Sequence, residues 1–181
     1  MPNPKATMRQ KNLPVYCAIA NSSGWCYNSF KNKANGVTIM VLKDFRITHS
    51  TLIEHYQFIE THLEGIYAAV CGKPFWDGLQ EVEKGSLSSA IREIRDVERE
   101  KGIQVFTDEE YKQLRKIVER RNFWCHCCYY ELAFDLQTGG PAKVQDVQML
   151  FADLKAAEDW RERLFNKKIA LLKEKTQKAT T

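Results

Sequence analysis

The residues best equipped for chemistry lie together at Glu119-Arg120-Arg121-Asn122-Phe123-Trp124-Cys125-His126. A guanidinium clamps a phosphate through paired N–H donors and stabilises charge that develops on it. An imidazole with an ordinary pKa of about 6.5 takes or gives a proton near neutral pH. The pair suits cleavage of a phosphodiester whose nucleophile is a neighbouring hydroxyl, as the 2′-OH of RNA is, and such chemistry needs no metal. The roles that follow are proton transfer for His126, phosphate binding for Arg121, and orientation of His126 or of the substrate for Asn122. Arg120 is either an auxiliary phosphate contact or a solvated neighbour. Geometry sets a condition. Five steps along an ideal helix rotate by about 500°, or about 140° net, so Arg121 and His126 do not share a face. Asn122 and His126, four apart, do share one, and Arg121 sides with Cys125 and Cys128. Arg121 reaches His126 only through its own length or through a local distortion of the helix. A plainer reading stands beside this one, with Arg121 an exposed helix residue and His126 a hydrogen-bonded histidine packed by Trp124 and Tyr130.

Other constellations compete less well. Cys125, His126, Cys127 and Cys128 have the right atoms for a metal, but on a helix only Cys125 and Cys128 face the same way. A tetrahedral zinc site needs four convergent ligands, usually presented in pairs from turns. Cys17 and Cys26 supply a second pair only if the N-terminal segment folds back. Small buried thiols are the simpler reading, and no metal is expected. His55 and His62, seven apart, read as histidines at the edge of a core. Phe75-Trp76 after Pro74 plugs a bundle end or meets a partner. Glu131 and Asp135, four apart, form a solvated face or shape a cleft. The Lys-rich stretch 167–178 serves solubility or assists RNA association. The sequence has no Gly-rich phosphate loop, no Ser–His–Asp grouping and no dinucleotide fingerprint, so no cofactor is expected.

The elements that must position these residues are helical. Leu52, Tyr56, Ile59, Leu63, Ile66 and Val70 recur at steps of four and three, an amphipathic stripe. Thr51-Leu-Ile-Glu54 has capping-box spacing at its start, and Gly72 and Pro74 stop it. Residues 75–85 read as a loop or single turn. Leu87, Ile91, Ile94 and Val97 mark a second helix that Gly102 ends. Thr107-Asp-Glu-Glu110 caps a third, with Tyr111, Leu114 and Ile117 inside and acids in the first turn, where the helix dipole favours them. Unbroken to Gly139, that helix would run about 45 Å. FWCHCCYY at 123–130 holds only middling helix formers, so a kink or irregular turn is expected there. A last helix runs from about Val144 to Lys173. No alternating strand pattern and no internal repeat appears. The expected fold is all-α, an antiparallel four-helix-type bundle.

Length and charge bound the rest. The chain has 181 residues, enough for one domain, and 44% hydrophobic content, enough for a packed core. No apolar run is long enough to span a bilayer and no secretory pattern appears, so no membrane partner is expected and the compartment reads as reducing cytoplasm. The net charge of +4 is unevenly placed. Residues 1–39 carry five Lys or Arg and no acid; residues 161–181 carry seven against two acids; the middle, 40–160, holds 15 basic and 21 acidic residues. Any nucleic-acid contact by the body must therefore rest on a local cluster. Residues 1–39, with six Asn and no periodicity, read either as a flexible basic arm or as upstream read-through ahead of a natural start at Met40. The body is 40–181.

The Arg121-Asn122 pair, followed four residues later by His126, resembles the Arg–(four to six residues)–His signature of HEPN domains, in which a polar residue commonly follows the Arg. The order of helices over roughly 50–172 is compatible, with the motif in the third long helix. The resemblance implies a small helical bundle and, in many members, a metal-independent endoribonuclease of the toxin or phage-defence kind. It further implies RNA as substrate and a homodimer whose two-fold axis gathers two Arg121–His126 pairs in one cleft. A toxin of this kind implies an antitoxin partner, commonly a small nucleotidyltransferase-like protein. HEPN domains also persist without catalysis, as modules that bind RNA or protein, and that is the alternative expectation.

Overall fold

The computed structural model describes residues 15–20, 26–32, 37–39, 42–83, 85–131 and 143–180. Among them, Asp135 and Gly139-Gly140-Pro141 find no place, and these expectations lie outside the described residues. The helical elements are α1 (Leu42–Val70), α2 (Phe75–Val82), α3 (Leu87–Lys101), α4 (Asp108–Asn122), a π-helical turn (Phe123–Cys127), α5 (Cys128–Glu131) and α6 (Val144–Thr180). The body is the all-α bundle that the apolar stripes require.

The stripes become the core. Leu52, Ile59, Leu63 and Ile66 of α1, Ile94 of α3, Leu114 of α4 and Leu150 of α6 lose all their accessible surface. Each such side chain contributes about 1.5–3 kcal/mol. The directions of the long helices follow from their contacts. His49 and Glu60 of α1 meet Trp124 and Arg121 respectively, so α4 runs against α1. Asp153 meets Arg120, and Arg163 meets Glu110, so α4 also runs against α6. α1 and α6 therefore lie side by side and parallel, His62 beside Lys168 and Ala68 beside Lys175.

Local chemistry sets most boundaries. Thr107 caps α4 with the reciprocal capping box expected, its hydroxyl taking the Glu110 N–H and the Glu110 carboxylate taking its own N–H. Ser86 does the same for α3 with Ser89 in place of an acid. Gly102 ends α3 at φ 62°, a left-handed conformation that suits glycine. Two expectations differ from the structure. α1 begins nine residues before Thr51, whose hydroxyl donates to the Ile47 carbonyl within the helix and caps nothing. Residues 75–82, read as loop or turn, form a helix, with Pro74 at its N-cap, where a missing N–H costs nothing.

Ahead of the bundle, Val15–Ala20 (β1), Cys26–Asn32 (β2) and Val37–Ile39 (β3) pair antiparallel in the order β1-β2-β3. The register sets Val15 opposite Lys31 and Phe30 opposite Ile39. These strands fall within the segment expected as a flexible arm, where the sequence shows no alternating strand pattern. No helix among the described residues is long and apolar enough to cross a membrane.

Candidate functional site

The motif sits where α4 gives way to the π turn. There the Cys128 N–H bonds the Phe123 carbonyl, five residues back. In α geometry that N–H would bond the Trp124 carbonyl. The displaced acceptor is taken up by side chains. His49 Nε2–H on α1 donates to the Trp124 carbonyl at 2.8 Å, and the Cys128 thiol donates to the same oxygen at 3.0 Å. The two donors lie 3.4 Å apart. The His49 ring is held by aromatic neighbours, stacked on Phe45 at 5.8 Å and edge-on to Tyr129 at 5.2 Å. The irregular turn expected at FWCHCCYY is thus a π turn, with its own satisfied hydrogen bonds.

A second set of bonds anchors the same turn to α6. Asp153 Oδ2 accepts from Trp124 Nε1 at 2.7 Å and from Arg120 Nε at 2.7 Å, and Arg120 Nη2 reaches the same oxygen. The Arg120 guanidinium also lies over the rings of Phe123 and Trp124, 5.1 and 5.8 Å from their centroids. This geometry places Arg120 in the frame of the bundle, facing α6. The Tyr56 hydroxyl on α1 is buried close by, with no hydrogen-bond partner among the described residues. Burial first, then the Asp153 carboxylate, push its pKa far up, so it stays a neutral phenol.

The residues assigned to chemistry lie outward of this frame. Asn122 and His126 are exposed, and Arg121 is partly exposed. Arg121 Nη1 donates to Asn122 Oδ1 at 3.4 Å, and its Nη2 lies 3.9 Å from Glu60 Oε2 on α1. Cys125 is the other neighbour of Arg121: burial raises its thiol pKa, and the guanidinium opposes that rise. Among the described residues no hydrogen bond or ion pair joins Arg121 to His126 within one copy of the chain. The three thiols of the motif lie at different depths, Cys125 exposed, Cys127 intermediate and Cys128 buried. Burial pushes the Cys128 thiol up to about 11. Among the described residues no group of three His, Cys, Asp or Glu converges as metal ligands would.

The other sequence candidates take structural places. His55 and His62 face α6 from the edge of the core, where burial lowers the pKa of both and Arg161 lowers it further. Phe75 and Trp76 pack edge to face at 5.5 Å, with Trp76 71% exposed. The side chain of Glu131 lies outside the described residues. Sequence reasoning missed His49, Asp153, Tyr56 and Glu60. Each meets the motif from another helix, 29 to 75 positions away for the hydrogen-bonded two, and no local spacing signals such a partner. No family model matches the chain, and no curated protein or solved structure matches it.

Proposed function

We propose that the chain is a metal-independent endoribonuclease of the HEPN toxin or phage-defence kind, which cleaves RNA by 2′-OH attack at a dimer-interface Arg/His site. The observation that carries this reading is the π turn between Arg121 and His126. A five-residue hydrogen-bond repeat brings positions five apart closer to one face than an α-helix does, and such turns concentrate at functional sites. The exposure of Asn122 and His126 leaves them open to a substrate and to a second copy of the chain. Arg121 binds the scissile phosphate, His126 moves the proton between the 2′-OH and the leaving oxygen, and Asn122 holds the guanidinium or the substrate in register. Arg120, paired with Asp153, braces the turn from behind and makes no phosphate contact. Cys71, Cys125, Cys127 and Cys128 are free thiols, in keeping with action in a reducing cytoplasm. As a toxin it would be neutralised by an antitoxin protein, nucleotidyltransferase-like in systems of this kind.

The test is incubation of the chain with mixed RNA in excess chelator, with assay for 2′,3′-cyclic phosphate ends. Arg121→Ala and His126→Ala should each cost about 10²–10³ in rate. Cleavage unchanged in both would falsify the mechanism. One observation favours the second reading, a non-catalytic module that binds RNA or protein. Glu60 stands beside Arg121 and offsets its charge before any phosphate arrives. Binding without cleavage, in wild-type and both variants alike, identifies that case.

A further inference from the structure

The groove between the parallel helices α1 and α6 carries an arrangement that neither the core nor the motif uses. Phe58 is 42% exposed and Phe165 46% exposed. Between them stands His62, its ring centroid 6.3 Å from that of Phe58 and 5.6 Å from that of Phe165. Arg161 lies over the Phe58 ring at 5.9 Å and Lys168 over the Phe165 ring at 5.7 Å. Lys168 is seated in the groove. Its stem crosses α1 at Gly65, where a Cβ would come within 2.6 Å of the Lys168 Cδ. Its ammonium donates to His62 Nδ1 at 3.3 Å, a neutral acceptor. Burial, then Lys168 and Arg161, lower the His62 pKa to about 4, which keeps the ring uncharged and able to accept.

Among the described residues neither Arg161 nor Lys168 is ion-paired to a carboxylate. The contrast lies on the far side of α6, in a cleft of about 430 Å³ lined by Phe106, Trp160, Arg163 and Lys167. There Glu110 answers both cations, at 3.1 Å from Arg163 and 3.6 Å from Lys167. Glu158 and Glu54 lie with Arg161 around His55, and Glu158 already faces Lys155 at 3.5 Å. The stretch from Phe58 to Lys168 thus carries two exposed rings and two cations that form no ion pair among the described residues.

We propose that this seam of Phe58, His62, Phe165, Arg161 and Lys168 binds single-stranded RNA, with unpaired bases stacked on the two phenyl rings and phosphates held by the two cations. Aromatic faces interleaved with cations are what a sequence-tolerant single-strand site needs. A second copy of the chain suits the seam poorly, because two-fold pairing sets the groove against itself and brings like charges together. The inference rests on the reading of the chain as an RNA-acting protein, yet the seam is separate from the motif. Phe58 and Glu60, the neighbour of Arg121, are two positions apart on α1 and point about 200° apart.

The test is fluorescence anisotropy with a short labelled oligouridine, in the His126→Ala background so that the probe stays whole. Phe58→Ala and Phe165→Ala should each weaken binding about 5–100-fold. Arg161→Gln and Lys168→Gln should each lower the slope of log affinity against log salt by about 0.7. Light scattering and thermal melts on the two Phe variants should change little, since both rings are exposed. Affinity unchanged in both Phe variants overturns the proposal, as does a loss of self-association in them with RNA affinity intact. The two readings fail separately. Seam-dependent binding by a chain that cuts nothing upholds the seam and defeats the nuclease. His126-dependent cutting with affinity indifferent to the seam does the reverse.

Discussion

The buried indole of Trp124 donates a 2.7 Å hydrogen bond to Asp153, on the oxygen that also receives the Arg120 guanidinium. One carboxylate thus ties the end of α4 and the start of the π turn to α6. Trp124 has no accessible surface, whereas the Arg120 side chain keeps 32% of its own. Replacing Asp153 by Ala strands an indole donor in the core and leaves a partly shielded guanidinium unpaired. Stranding a buried donor costs about 1–3 kcal/mol, and a broken ion pair adds to it less than the fully buried figure. The expected loss for Asp153→Ala is about 2–3 kcal/mol by urea unfolding. Asp153→Asn, which keeps one acceptor oxygen, should lose less. A change under about 0.5 kcal/mol for Ala would place the bonds among ordinary surface contacts.

His49 holds the π turn from the opposite helix. Its Nε2–H takes the Trp124 carbonyl that the π register gives up, with the Cys128 thiol as a weaker second donor. His49→Leu removes the main donor and should cost about 1–2 kcal/mol. Because the turn lies between Arg121 and His126, a relaxed turn should also disturb the motif. The checks are near-UV circular dichroism, which reports Trp124 packing, and the RNA cleavage rate. Far-UV dichroism should hold, since α1 itself is intact. A variant with native stability and native near-UV signal would show that the turn holds without His49.

The sequence made the core legible and the frame of the site illegible, for a physical reason. Burial leaves a periodic trace, so Leu52, Ile59, Leu63 and Ile66, or Ile91 and Ile94, could be assigned to inner faces from spacing alone. Thr107 and Glu110 could be read as a cap because both partners lie within one turn. The same local rule misled at Thr51, since four residues cannot tell a first turn from a middle one. It also missed Ser86, whose reciprocal partner Ser89 is not an acid. The π turn was legible only as a place where helix propensity falters. What stabilises it comes from His49, and what anchors it from Asp153, residues whose sequence neighbourhoods say nothing of Trp124. The motif residues Arg121, Asn122 and His126 were recognisable by type, but their exposure depends on which face α4 turns to α1 and α6.

The cysteines should react in an order set by depth. Cys125 is exposed, while Cys128 is buried and its thiol is pushed up to about 11. Thiolate is the reactive form, so Cys128 is slow on both counts. Alkylation under native conditions followed by peptide mass mapping should find Cys125 modified before Cys128, and Cys128 protected until the chain unfolds. Burial also raises the Cys125 pKa, so its rate should rise steeply above neutral pH. Arg121→Ala removes the cation that opposes this rise and should slow Cys125 further. Equal rates at Cys125 and Cys128 would contradict the depth of the π turn in the bundle.

His62 gives the fold an acid-sensitive joint. Burial, Lys168 and Arg161 lower its pKa to about 4 in the folded chain, against about 6.5 when unfolded. Between these values the unfolded chain binds the extra proton and the folded chain does not. Stability is therefore complete above about pH 6.5 and declines as pH falls toward 4, by at most about 3 kcal/mol. His55, lowered by burial and by Arg161, acts in the same direction. His62→Gln keeps an acceptor for Lys168 and removes the titration, so its urea midpoints should vary less from pH 6.5 to 4 than those of the wild type. The His55→Gln variant separates the smaller share. If His62→Gln loses stability over that window as steeply as the wild type, the acid sensitivity arises elsewhere and the ring is not held neutral between Lys168 and Arg161.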